Sequence, residues 1–174
     1  MMLRPGLIAA LWLLVPAPLA AQSCDIAFSV VLTQGAGPFQ PGDTLDGRAQ
    51  FTALGRTVRQ EGGSTAHLAT GEMALGDGIS GPIWTLIITS RGPAADLVGV
   101  YAHNIEGLSV AGQHFTGPMA ITLFGRPGSR PDPGLPTAQE EWDRLDLRRA
   151  FSLHAPQGRD MLAGDVTELR VDCR

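Results

Sequence analysis

The chain has 174 residues, of which 44% are hydrophobic and 17% charged, and its formal net charge is −4. This composition is too apolar for a disordered chain, and the length fits one domain. The charge is dispersed and mildly acidic, so the chain has no basic patch of the kind that binds nucleic acid. All 13 basic residues are arginine, which excludes a lysine nucleophile, a lysine Schiff base and a P-loop.

The first 21 residues have the pattern of a secretory signal peptide. Arg4 supplies the positive start, Leu7–Val15 is apolar, and small residues lead to Ala21. The apolar run is shorter than the roughly 20 residues that cross a membrane, although a membrane anchor is the alternative interpretation. We expect cleavage after Ala21 and a periplasmic or secreted domain, 22–174, without membrane insertion.

Hydrophobic residues recur at every second position in the first part of this domain, which is typical of half-buried strands. The buried faces predicted for the first two strands are Ile26, Phe28, Val30 and Leu32, and then Leu45, Gly47, Ala49, Phe51 and Ala53. A turn-rich loop, 35–43, separates them. Thr65–Leu75 is a third strand candidate, and the turn Gly76–Gly78 ends it.

The middle of the chain predicts three further strands. Pro82–Ser90 is apolar on both faces, so we expect a central strand with Trp84 in the core. Leu97–His103 and Met119–Phe124 follow, with a loop or weak strand at Gly107–Gly112 between them.

The Pro/Gly-rich loop 125–136 contains four prolines and three glycines, which forbid regular structure. It is a weak candidate for a partner contact, with plain disorder as the alternative. Thr137 and Glu140 have the spacing of a capping box, which predicts a short helix from about Ala138 through Trp142. We expect Trp142 to pin this helix to the sheet.

Period-two alternation returns at Leu145–His154 and at Val166–Cys173. In the last strand, Thr167, Leu169 and Val171 are predicted to face inward. The sequence therefore predicts an all-β domain: a single antiparallel β-sandwich or closed barrel of about eight or nine strands, with one short helix near the C-terminal third.

The two cysteines lie at opposite ends of the domain, Cys24 at its third residue and Cys173 at the penultimate position. Exported proteins meet an oxidising compartment, so we predict a structural disulfide between them. The bond requires the first and last strands to lie side by side.

The sequence contains no assembled catalytic or metal-binding motif, and it predicts no catalytic residue, no metal site and no cofactor. His103 and His114 flank one loop and are low-grade candidates for a polar site, although ordinary hydrogen-bonding histidines are the favoured interpretation. The aromatic residues are sparse, so core positions are favoured over a ligand pocket or sugar platform. The residues considered for such a pocket or platform are Trp84, Tyr101, Phe115 and Trp142.

The leading functional hypothesis is an exported β-domain with a binding or structural role in a bacterial envelope and no catalysis. Its partner is unknown; an envelope protein and a small apolar ligand are both compatible. Two alternatives stay open. One is a barrel that carries a small apolar ligand near the helix. The other is a hydrolase of envelope or extracellular polymer, which requires two carboxylates, or His103 with a carboxylate, in one cleft.

Overall fold

A computed structural model describes residues 22–59, 64–89, 93–130, 134–156 and 161–174. The predicted signal peptide, 1–21, lies outside the described residues. Within the described part, no helix is both long enough and apolar enough to cross a membrane.

Eight long antiparallel strands form a closed barrel, which confirms the predicted fold class and identifies it as the barrel rather than the sandwich. Each of these strands pairs with the next one along the barrel, and the first, β1 (Ser23–Gln34), pairs with the last, β10 (Met161–Cys173), to close the ring. A small hairpin, β6 (Ser109–Val110) and β7 (Gln113–His114), is inserted between the barrel strands β5 (Asp96–Ala102) and β8 (Met119–Gly125). The strands are β1 (Ser23–Gln34), β2 (Thr44–Arg59), β3 (Ser64–Leu75), β4 (Ile79–Thr89), β5 (Asp96–Ala102), β6 (Ser109–Val110), β7 (Gln113–His114), β8 (Met119–Gly125), β9 (Arg148–His154) and β10 (Met161–Cys173).

The barrel interior is filled by its own apolar side chains, as expected for eight strands. In β1 and β2 the predicted buried faces are confirmed. Phe28 of β1 and Phe151 of β9, the two neighbours of β10, pack in the interior with ring centroids 6.5 Å apart. The largest fully buried side chains include Met73, Ile83, Leu86, Met119, Ile121 and Phe151.

Two β-bulges place residues outside that were predicted to lie inside, because an extra residue reverses the side-chain period. On β10, Glu168 lies opposite Ser29 and Val166 opposite Val30, which leaves Thr167 exposed rather than inward as predicted. On β4, Trp84 falls between two residues paired with β5 and is 50% exposed, so its predicted place in the core is wrong.

The first and last strands meet at one end of the barrel, and the predicted disulfide is confirmed there. Cys24 and Cys173 are register partners with their Cα atoms 4.1 Å apart, and the S–S bond joins positions 149 residues apart. Beside it, the backbones of Ser23 and Arg174 exchange hydrogen bonds of 3.0 and 2.8 Å. We call this the disulfide end.

The predicted helix is confirmed as α1 (Gln139–Asp143), and it covers the disulfide end with Trp142 fully buried. Its cap differs from the prediction by one residue, because Glu141 rather than Glu140 accepts from the Thr137 and Ala138 amides, at 2.6 and 3.2 Å. Partial burial of Glu141 opposes ionisation. The Thr137 and Ala138 donors and the charge of Arg130 outweigh it, so the pKa of Glu141 is lowered.

The described part of the Pro/Gly-rich loop packs against the barrel. Asp96 at the start of β5 is fully buried, and its carboxylate accepts from the Arg130 amide at 2.7 Å and the Ser129 hydroxyl at 3.3 Å. At the opposite end of the barrel, the side chain of Val110 lies against Gly37. Phe115, directly after β7, is buried there. Both ends of the barrel are therefore covered by chain.

Candidate functional site

An outward-facing strip on β4 carries the most distinctive surface of the barrel. Ser80, Pro82 and Trp84 occupy alternate positions of this strand, so their side chains share the outer face. At about 3.3 Å per residue, the strip is roughly 13 Å long. Glu72 of β3 lies opposite Pro82 on one flank, and the segment after β5 forms the other flank.

A polar cleft of about 310 Å³ occupies most of this strip. Two positions in its floor require glycine, because the backbone of a neighbouring strand or loop lies too close to each of them for a Cβ atom to fit. A Cβ on Gly71 would stand 2.0 Å from the Gln50 carbonyl oxygen, and one on Gly81 would stand 2.7 Å from the His103 oxygen. The residues that line the cleft are Gly71, Glu72, Ser80, Gly81, Pro82, Asn104 and Glu106.

The backbone holds the far wall of the cleft in place. Ser80 and Glu106 exchange backbone hydrogen bonds of 3.2 and 2.8 Å, and the His103 amide donates to the Pro82 oxygen at 3.0 Å. Asn104, between these anchors, has a φ of +51°, a left-handed conformation that asparagine tolerates better than most residues. The wall that presents Asn104 and Glu106 is therefore a fixed element.

Trp84 and His103 form a stacked pair beside the cleft. Their ring centroids are 5.5 Å apart with an interplanar angle of 23°. His103 stacks on the indole and Trp84 remains half exposed, so part of this apolar ring is accessible at the surface. The β4 bulge shifts the alternation at this point, so that Trp84 faces outward with Pro82 while Leu86 and Ile88 face inward.

The cleft combines acceptors with groups that both donate and accept hydrogen bonds. Glu72 and Glu106 bring carboxylates from opposite walls, while Asn104 supplies an amide and Ser80 a hydroxyl. The side chains of Glu72, Asn104 and Glu106 are exposed to solvent. Such a set suits a ligand that carries many hydroxyl groups on a partly apolar frame.

The structure separates the two histidines that the sequence singled out. His103 belongs to the stacked pair beside the cleft, whereas His114 is exposed on β7 opposite Ser109. No group of three or more His, Cys, Asp or Glu side chains among the described residues is arranged to hold a metal ion.

The sequence did not predict that Trp84, Glu72 and Glu106 lie near one another on the barrel surface. Trp84 lies in the most apolar run of the chain, which favours a core position. The two glutamates are 34 residues apart, and only the β3–β4 pairing and the Ser80–Glu106 bridge bring them to one cleft. Comparison with known protein families, with curated proteins and with solved structures finds no match for this chain.

Proposed function

We propose that this protein is a non-catalytic binding domain of the bacterial periplasm or extracellular space, and that the cleft beside Trp84 binds saccharide. The single observation that carries the proposal is the half-exposed indole of Trp84, stacked on His103 at the edge of a cleft with mixed polar groups. An all-β domain closed by a disulfide suits an oxidising compartment outside the cytoplasm.

The match to a sugar follows from both halves of the site. The C–H face of a pyranose ring is apolar and flat enough to pack on the exposed part of the Trp84 ring. Sugar hydroxyls both donate and accept, so they can use the carboxylates of Glu72 and Glu106 and the amide of Asn104 together. A simple cation needs acceptors only, which leaves the donors of Asn104 and Ser80 unused.

Titration with uncharged oligosaccharides tests the proposal. Glucose oligomers and N-acetylglucosamine oligomers are added to the protein, and amide chemical shifts are followed by NMR. We expect shifts at Trp84, Asn104 and Glu106, and loss of binding in Trp84→Ala. Leu147→Ala is the matched control, because Leu147 is a similarly exposed apolar side chain, 56% exposed and outside the cleft residues. Failure of millimolar oligosaccharide to shift these amides contradicts the proposal.

Hydrolysis of an envelope or extracellular polymer is the second candidate function. One observation favours it: Glu72 and Glu106 line the same cleft, as a pair of glycosidase carboxylates must. Both side chains are exposed, however, whereas a general acid works best in a site that excludes water. Release of reducing ends from the oligosaccharides that bind, abolished in both Glu72→Gln and Glu106→Gln, would favour hydrolysis over binding alone.

The alternative function, carriage of a small apolar ligand inside the barrel, has less support. Side chains from all eight barrel strands occupy that interior; Ile83, Leu86 and Ile121 are fully buried at its centre. An eight-stranded barrel of this kind is wide enough for its own side chains or for one small ligand. Filling by side chains favours binding at the outer surface.

A further inference from the structure

A second recess opens at the disulfide end, where the β2–β3 hairpin continues past the barrel. Ala53 pairs with Ala69 and Thr57 pairs with His67, so that three residues of β2 lie opposite Leu68 alone. Gly55, within this bulge, has a φ of +65°. A bulge of this size bends the strand, and the bend leaves space between the hairpin and the segment around Leu135.

The recess has an apolar floor and a basic, polar rim. Its volume is about 200 Å³. Ala53, Leu68 and Leu135 supply apolar surface, and Arg56, Thr57 and His67 supply the polar lining. Arg56 is exposed, and none of the described carboxylates forms an ion pair with it.

We infer that this recess binds a small monocarboxylate with a compact apolar arm of about six carbons. The arm would pack on Leu68 and Leu135, and the carboxylate would accept hydrogen bonds from Arg56, whose planar guanidinium matches a carboxylate with two parallel N–H donors. The size agrees, because an apolar cavity of about 150 Å³ already holds a benzene ring.

The exposed edge of the β2–β3 hairpin suggests a different interaction, in which a strand of a partner protein pairs with this edge. The β1 backbone stops pairing at Thr52, and the Ala53 amide donates to the Gln22 oxygen as the last link. Beyond it, however, the edge carries the bulge, Arg56 and Arg59, which are the devices that natural proteins use to block strand addition. A small anion therefore fits the surface better than an extended chain.

NMR titration of the purified, disulfide-bonded protein with hexanoate, 1-hexanol and hexylammonium tests the inference. We expect hexanoate to bind most tightly, 1-hexanol more weakly and hexylammonium least, with shifts at the amides of Ala53, Leu68 and Leu135. Arg56→Gln is expected to weaken hexanoate binding about tenfold, the loss of one charge-assisted contact, and to leave 1-hexanol binding unchanged.

Arg59→Gln is the matched control, because Arg59 is an exposed arginine of the same strand that does not line the recess. Equal affinity for the three probes, equal losses in the two arginine variants, or shifts confined to other surfaces would each overturn the inference. None of these outcomes bears on oligosaccharide binding at the Trp84 cleft, which involves different residues.

Discussion

Trp84 and Trp142 carry the same indole side chain but lie in opposite environments. Trp142 is fully buried beneath α1, whereas Trp84 is half exposed on the outer face of β4. Both lie in segments where a large aromatic residue suggests a core position, and the structure separates them by role. The indole of Trp142 joins the helix to the barrel, and that of Trp84 stacks on His103 at the outer surface.

This contrast predicts unequal effects of the same truncation. Trp142→Ala should lower the free energy of unfolding by about 3–5 kcal/mol, because it removes a fully buried indole and leaves a cavity. Trp84→Ala should cost less than about 1 kcal/mol, because Trp84 is half exposed on the outer face of the barrel. Chemical denaturation followed by circular dichroism measures both values. Similar losses in the two variants would contradict this assignment of roles.

At the scale of the element, alternation correctly predicted most strands and the inward faces of β1 and β2. It failed at Thr167, where a bulge added one residue, because the extra residue depends on pairing with a distant strand. The core position expected for Trp84 from its apolar run was wrong for the same reason. The helix was predictable from local capping chemistry, although its cap residue was one position off. The Trp84 cleft was not predictable, because register between strands creates it.

The connection between β5 and β8 gives a test at this scale. Gly107 has a φ of +90°, and a Cβ there would stand 1.7 Å from the Gly78 carbonyl oxygen of the β3–β4 turn. Gly112, in the β6–β7 turn, has a φ of +79° and open space around it. The two positions share a backbone conformation and differ in their surroundings.

We therefore expect Gly107→Ala to destabilise the protein by about 2–4 kcal/mol, since a backbone clash adds to conformational strain. Gly112→Ala should cost only about 1 kcal/mol, the strain alone. Thermal unfolding of both variants, each compared with the unmodified protein, separates the two contributions. Equal shifts in melting temperature would show that the contact between the two loops contributes nothing.

The whole molecule is a ring of strands closed by two links. One is the backbone pairing of β1 with β10, and the other is the Cys24–Cys173 bond at one end of that pair. The sequence predicted the bond from the positions of its two cysteines and from the predicted signal peptide. The choice between barrel and sandwich could not be predicted, since both architectures bring first and last strands together and both show period-two alternation.

Removing the bond should weaken the fold substantially. Cys24→Ala with Cys173→Ala opens a loop of 149 residues, for which chain entropy gives an upper value of about 5 kcal/mol. We expect a loss of roughly 2–5 kcal/mol in guanidinium denaturation, with the spectrum of the folded barrel retained. A loss below about 1 kcal/mol would contradict this expectation and would mean that the unfolded chain is already compact enough to keep its two ends close without the bond.

The position of the bond also determines how the domain responds to tension. Ser23 and Arg174 lie side by side, just outside the linked pair Cys24 and Cys173. A force that pulls the two ends apart therefore travels from one end through the sulfur atoms to the other and bypasses nearly every strand. The hydrogen-bonded ring carries no load, so a tether attached at both ends can be stretched while the outer cleft keeps its shape.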